Sequence, residues 1–544
     1  MMTCNSFART SRAVVDSIAR YGYLRVAHWT AWPLLFFYAA YSVVQKKAEI
    51  VSALHREARG LCRAYECKQR DYADFEWDAI VAIFWSMKFW IVTHLAVGQL
   101  VAAFASRFLQ HFYVAYSLLF MIWCFPADVW LRTGIMATAS FVAVWLRRRS
   151  VVYVVGSVIV ATTTLSFMPR FEFSPCVIGG KRSHEAAVFF TGWNVLRCVS
   201  VAADLIDRTS RAPSEARKHV LHALAYLLYF PALIMGPLTN YDDFMKEPYR
   251  PPAWNRKRLL HFLLRCARLA LGYGAMEALL RLSYVHSAAL TPRWFGAQSG
   301  WTLAGIVYLS ALQFYLKYNF TYGVPSLFFW LDGVYTGPEL RPRCSVRLHT
   351  AANIWRHFDI ALYRWIVKYL YKAVIAGRWT AWWRFLGTSA SFTFVLLWHT
   401  VQPHMLLWTT TNYLLVMAEM LCAGIAATAP VRSWLTTRCG PVAESVLKGV
   451  LCAVNLVGAY GSCFFFLTDY DIASGAVRKL LVFPFPLLPI LFGLYCKAQV
   501  AMDIFEWEKT RRPEKAGRDE SPPQTSEAPS STPGPRRKHV VSDT

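Results

Sequence analysis

Acidic side chains are scarce in this chain. Asp and Glu number 33 of 544 residues against 58 Lys and Arg, and charged residues of both signs reach only 17%. Ordinary soluble domains carry about 25%. With 56% of residues hydrophobic, there is too little polar surface to clothe a water-soluble body of this size. Other absences narrow the chemistry. There is no P-loop, no GxSxG elbow, no HExxH and no dinucleotide fingerprint, which counts against ATP-driven pumping, serine hydrolysis and hydride transfer. The 13 cysteines form no CxxC pair and no Cys/His zinc spacing, so no metal site is expected. Cys62 and Cys67 share one polar loop, as a pair or as two thiols. No internal repeat, inverted repeat or heptad run is visible.

What the chain does contain is long apolar runs and aromatic rings. Aromatics make up 16%, with 22 Trp, 27 Tyr and 36 Phe, and Trp and Tyr favour the membrane–water interface. A spanning helix needs about 20 largely apolar residues. Runs of that kind are Ala27–Val44, Ile80–Ala102, Phe112–Phe125, Thr133–Leu146, Val151–Phe167, Ala223–Leu238, Leu259–Leu282, Trp301–Tyr318, Trp382–His399, Met405–Ala426, Val446–Leu467 and Leu480–Val500. The pattern predicts an all-α, polytopic transmembrane bundle with about ten to twelve membrane segments, some broken or re-entrant. The net charge of +25 then reads as basic flanks meeting anionic lipid, as at Arg147-Arg148-Arg149 and Arg256-Lys257-Arg258, and not as a nucleic-acid surface. Met1–Arg20 has no apolar core, so the first span is expected to act as an uncleaved anchor. Charge bias around it does not fix the topology.

The expected organisation is a polar segment at 1–26, a membrane core at 27–502 and a disordered polar tail at 503–544 rich in Pro, Ser, Thr and Lys/Arg. Lys46–Asp78 reads as a charged loop. Val346–Ala376 reads as an amphipathic helix at the interface or along a cavity, because Ile354, Phe358, Leu362, Trp365, Ile366, Tyr369 and Leu370 recur at helical spacing between Arg356, His357, Arg364 and Lys368.

Four places offer chemistry. His399 lies in the apolar run SFTFVLLWHT, where a titratable ring is costly unless it faces a cavity or a partner. It is either a general base, whose ordinary pKa suits it to take a proton from an alcohol, or a histidine hydrogen-bonded between helices. His404, after Pro403, is a weaker base candidate in a short loop. Asp359, on the segment Asn353–Asp359, could orient an imidazole or a nucleophile, and Arg356 and His357 could meet a phosphate. The competing reading is a solvated face with Asp359 paired to Arg356 or Lys368. Asp332 and Glu339 sit in a Gly/Pro-marked loop as carboxylates or caps. Tyr226–Phe244 reads as a kinked span that exits into Asp242-Asp243.

Read in order, Asn194–Asp207, Tyr226–Phe244, Trp330–Cys344, Trp355–Tyr371 and Phe394–His399 resemble the membrane-bound O-acyltransferase (MBOAT) family. The likeness is to its Gup-type glycerol-uptake/GPI-remodelling branch and the related Hedgehog acyltransferase. The resemblance implies a helical membrane core around a central tunnel. His399 falls at the family's near-invariant histidine and Asp359 at its upstream polar residue. It also implies acyl-CoA as co-substrate with no bound cofactor, Arg356 as a contact for CoA phosphate, and a lyso-GPI or lysophospholipid acceptor drawn from membrane lipids, in the endoplasmic reticulum. Three other functions stay open from sequence: a glycerol or polyol transporter, a protein palmitoyltransferase, and an inactive homologue that regulates by binding, against which the retained His399 counts.

Overall fold

A computed structural model describes residues 4–59, 69–125, 127–165, 181–211, 219–233, 236–245, 251, 253–334, 336, 340–399, 401–435 and 440–511. Cys62, Cys67 and Glu339 lie outside the described residues. Among the described residues the regular structure is helical throughout. Four helices are long and apolar enough to cross a membrane, Val129–Leu146, Pro403–Ala426, Gly440–Leu467 and Leu487–Lys509, and the pair Phe75–Ser86 and Lys88–Phe104, bent by 51°, adds a fifth when taken as one span. This is fewer than the number of apolar runs. Tyr226–Phe244, for instance, breaks into His219–Leu227, Phe230–Leu233 and Tyr241–Phe244. Leu259–Leu282 and Trp301–Tyr318 form unbroken helices that carry cations.

The elements that position the site are α1 (Cys4–Val44), α2 (Phe75–Ser86), α3 (Lys181–Arg211), α4 (Arg256–Leu282), α5 (Gly300–Leu331), α6 (Ala351–Phe358), α7 (Ile360–Trp365), α8 (Ala381–Trp398), α9 (Pro403–Ala426), α10 (Gly440–Leu467) and α11 (Leu487–Arg511). α5 is the central post. Ser299 caps its start by accepting from the Thr302 N–H at 3.2 Å. Its apolar residues point all round, the pattern of a helix enclosed by others, and it packs against α1, α4 and α10. The contact with α1 requires Gly305, where an added Cβ would lie 2.1 Å from the Ala39 carbonyl oxygen.

The expected amphipathic helix is broken into α6, α7, a π turn at Ile366–Tyr371 and the short helix Lys372–Ile375. The break falls at Asp359, whose carboxylate caps α7 by accepting from the Leu362 N–H at 2.9 Å. A side chain that competes for backbone donors ends one helix and starts the next.

α11 continues to Arg511, past the point where the polar tail is expected to begin. The reason is pairing. Asp503 accepts from Arg25 Nε at 3.1 Å and from Trp29 Nε1 at 3.2 Å, both on α1, and Glu508 pairs with Arg347.

Candidate active site

α5 turns two tyrosines and a lysine inward. Tyr322 Oη donates to Asp359 Oδ2 at 2.8 Å, and Tyr318 Oη donates to Glu76 Oε1 at 2.7 Å. Lys317, only 3% exposed, reaches Glu76 Oε2 at 2.8 Å and Asp74 Oδ1 at 2.8 Å. Asp74 also caps α2 through the Trp77 N–H at 3.0 Å and meets His286 Nε2 at 3.3 Å. Buried charges are tolerated when paired and hydrogen-bonded in this way. The cluster holds α2 against α5 and leaves the Glu76 carboxylate facing inward.

His399 ends α8, its N–H donating to the Val395 carbonyl at 3.1 Å. Its ring stands edge-on to Trp408 (5.1–5.4 Å between centroids, counting Phe466 as the nearer neighbour) and both contacts are nearly perpendicular, 87° and 89°. The preceding Trp398 lies over α3 at Gly192, where a Cβ would come within 2.9 Å of its ring. The half-buried imidazole, Asp359, Glu76, Tyr318 and Tyr322 all line one cavity of ≈250 Å³ whose walls are mainly aromatic and aliphatic, with Trp193, Phe314, Trp355, Trp408 and Phe466 among them. The ring takes no hydrogen bond from a protein side chain among the described residues, which sets it apart from a histidine that serves as a link between helices.

The structure thus brings His399 and Asp359 to one cavity. Asp359 is bound to Tyr322 and to the start of α7, while Lys368 pairs instead with Asp204 at 2.7 Å and Asp242 at 2.8 Å. Arg356 is exposed and does not line this cavity. His357 is turned back on its own helix, its Nδ1 2.9 Å from the Asn353 carbonyl. His404 begins α9 and does not line the cavity. Asp332 is buried elsewhere, accepting from Tyr229 and lying 3.4 Å from His94 Nε2. Asp242 and Asp243 are held by Lys368 and Arg208 and by Arg364. Among the described residues no group of three His, Cys, Asp or Glu side chains is placed to hold a metal.

Glu76 was not singled out by the sequence, because it sits at the end of what reads as a charged loop. It is nonetheless a carboxylate that lines the same cavity as His399. The signal was present: Asp74-Phe75-Glu76-Trp77-Asp78 puts three acids at the mouth of an apolar run in a chain otherwise poor in acid.

The sequence model of the MBOAT, membrane-bound O-acyltransferase family matches residues 138–462, more than half of the chain and a stretch containing both Asp359 and His399. The chain belongs to the membrane-bound O-acyltransferase family. As an MBOAT it is an integral membrane acyltransferase. Among its relatives, the Protein-cysteine N-palmitoyltransferase HHAT of Mus musculus is 24% identical over 81% of this chain and 89% of that protein. The Protein-cysteine N-palmitoyltransferase Rasp of Drosophila melanogaster is 26% identical over 55% of this chain and 58% of its own length. The Membrane-bound O-acyltransferase GUP2 of Saccharomyces cerevisiae is 24% identical over 53% of this chain and 45% of its own. The likeness to both groups agrees with the resemblance read from the motifs.

Proposed function

We propose that this MBOAT moves a fatty acyl group from acyl-CoA to a hydroxyl of a lyso-glycerolipid, the lyso form of a GPI anchor, in the membrane of the endoplasmic reticulum. The observation that carries the reading is a half-buried imidazole and a capped carboxylate lining one apolar cavity. The apolar walls suit two lipid-soluble chains, and the similarity to GUP2, named an O-acyltransferase, supports transfer to an oxygen.

In this reading a nitrogen of His399 takes the hydroxyl proton as the acceptor oxygen attacks the thioester carbonyl carbon. The C–S bond then breaks, and the CoA thiolate leaves and recovers that proton. Asp359 orients the acceptor with Tyr322, and the Glu76 charge stabilises the imidazolium that forms. Asp359→Ala removes both the carboxylate and the cap of α7, so transfer is expected to fall by about 10²-fold and stability by about 1 kcal/mol. Asp359→Asn retains a capping oxygen and is expected to restore the melting temperature but not the rate. Full activity in Asp359→Asn would reduce Asp359 to a cap.

A second reading, transfer to a peptide amine, is favoured by the match to HHAT across most of both chains. The two cavity carboxylates would also attract an ammonium group. The deciding assay gives the purified protein radiolabelled acyl-CoA with either a lyso-GPI or a peptide bearing an N-terminal cysteine. Label in the lipid alone is expected; label in the peptide alone replaces the lipid reading with the second one.

A further inference from the structure

Gly192 lies inside α3, where a glycine weakens the helix relative to alanine and calls for a packing reason. The reason is Trp398. A Cβ on Gly192 would stand 2.9, 3.5 and 3.6 Å from three atoms at the far edge of its indole, the first of them closer than carbon atoms rest. The missing methyl therefore lets the indole lie back on α3. Two other rings bracket it, Trp193 of α3 at 6.0 Å and Phe394 of α8 at 5.9 Å between centroids. Beside them Trp365 Nε1 donates to the Leu196 carbonyl at 2.9 Å and fastens α7 to α3. The side left open to the indole is the cavity of His399, which Trp398 lines and Gly192 does not.

The wall that Trp398 belongs to differs from the rest of that cavity. Trp193, Leu362, Ile366, Phe394, Val395 and Trp398, supplied by α3, by α7 with the π turn and by α8, carry no charge and no hydroxyl. The charged lining groups Glu76, Arg343 and Asp359 come from α2 and from the chain between α5 and α7. A hydrocarbon chain gains most where its arrival strips no polar group of water. In an acyl donor the first methylene is bonded to the carbonyl under attack, so the chain begins at His399, the residue next to Trp398. In a lyso-lipid the glycerol separates the hydroxyl from the tail. The wall beside Trp398 therefore falls to the donor's chain.

We propose that Gly192 sets the length of acyl chain that this enzyme accepts. By leaving room for Trp398 against α3 it keeps the path of the chain open, and a larger residue at 192 pushes the indole into that path. The inference rests on the acyl-CoA reading above. It gives a specificity role to a residue outside the cavity, acting through a ring that lines it.

The test uses the full chain in nanodiscs, with Gly192→Ala, Gly192→Val, Trp398→Phe and the double variant Gly192→Ala/Trp398→Phe. Octanoyl-, lauroyl- and palmitoyl-CoA compete as donors, with the N-terminal-cysteine peptide and lyso-GPI of short and long chain supplied as acceptors. In Gly192→Ala the kcat/KM for palmitoyl-CoA relative to octanoyl-CoA is expected to fall about 10-fold, and further in Gly192→Val. Phenylalanine is the smaller ring, so Trp398→Phe is expected to raise that ratio, and the double variant to return it toward the starting value. An equal loss at all three donor lengths in Gly192→Ala, or a double variant no different from it, would overturn the inference and leave acyl-CoA as donor. A preference that shifts with the chain of the lyso-GPI and not with that of the donor would give the wall to the acceptor and overturn it as well. A starting protein that transfers from no acyl-CoA would refute the donor reading, and the binding of palmitic against octanoic acid, counted by native mass spectrometry, then decides on Gly192. A preference for palmitic acid that Gly192→Ala removes and the double variant restores would keep its role in chain length; a preference indifferent to Gly192→Ala would end it.

Discussion

His399→Ala is expected to abolish acyl transfer while leaving a protein that inserts and folds. The ring is half-buried at the end of α8, so its removal breaks no backbone hydrogen bond and costs two edge-on contacts. Trp408 and Phe466, 4.6 Å apart, still pack on each other without it. The lost function is larger than the lost packing: a positioned base contributes about 10²–10⁴-fold to such a step. The measurement is single-turnover transfer of radiolabel by the purified variant, beside its melting curve and its elution on gel filtration. Wild-type turnover in a folded His399→Ala protein would remove the imidazole from the mechanism.

Lys317→Met is expected to have the largest effect on stability. Methionine matches the length of the lysine stem but carries no charge. The change leaves Asp74, with a side chain 4% exposed, and the Glu76 carboxylate without the ammonium that holds both. Stranding a buried charge typically costs about 3–5 kcal/mol, and His286 at 3.3 Å compensates only part of it. A triple variant, Lys317→Met with Asp74→Asn and Glu76→Gln, removes the stranded charges and is expected to recover much of the loss. Thermal unfolding in one detergent compares the three proteins. A Lys317→Met variant as stable as the starting protein, or a triple variant no better than the single, would show that the ion cluster does not hold α2 to α5.

The sequence carried the class of fold and singled out His399 as a candidate because both rest on local signals. Apolar runs of spanning length and a lone histidine in one of them need no knowledge of what packs where. Asp359 was legible through the succession of motifs, but its partner was not: pairing with Tyr322 is set by how α5 lies against the start of α7. Glu76 was hidden for the same reason, since its counter-ion Lys317 stands far along the chain and only the fold brings them together. The amphipathic segment was read as one helix because periodicity reports a face and not a cap; the interruption comes from a carboxylate accepting a backbone N–H. Arg356 was read as a phosphate contact because it neighbours the motif, but it is exposed and does not line the His399 cavity.

The tie between α1 and α11 bears on how the molecule is made. Trp29 and Asp503 are 474 positions apart, yet they fasten α1 to α11. During synthesis α1 leaves the ribosome long before α11 exists, so the side of α1 that α11 covers lacks that partner until then. The tie closes only when α11 emerges, and a premature stop codon before Asp503 that spares Asp359 and His399 would still deprive the molecule of it.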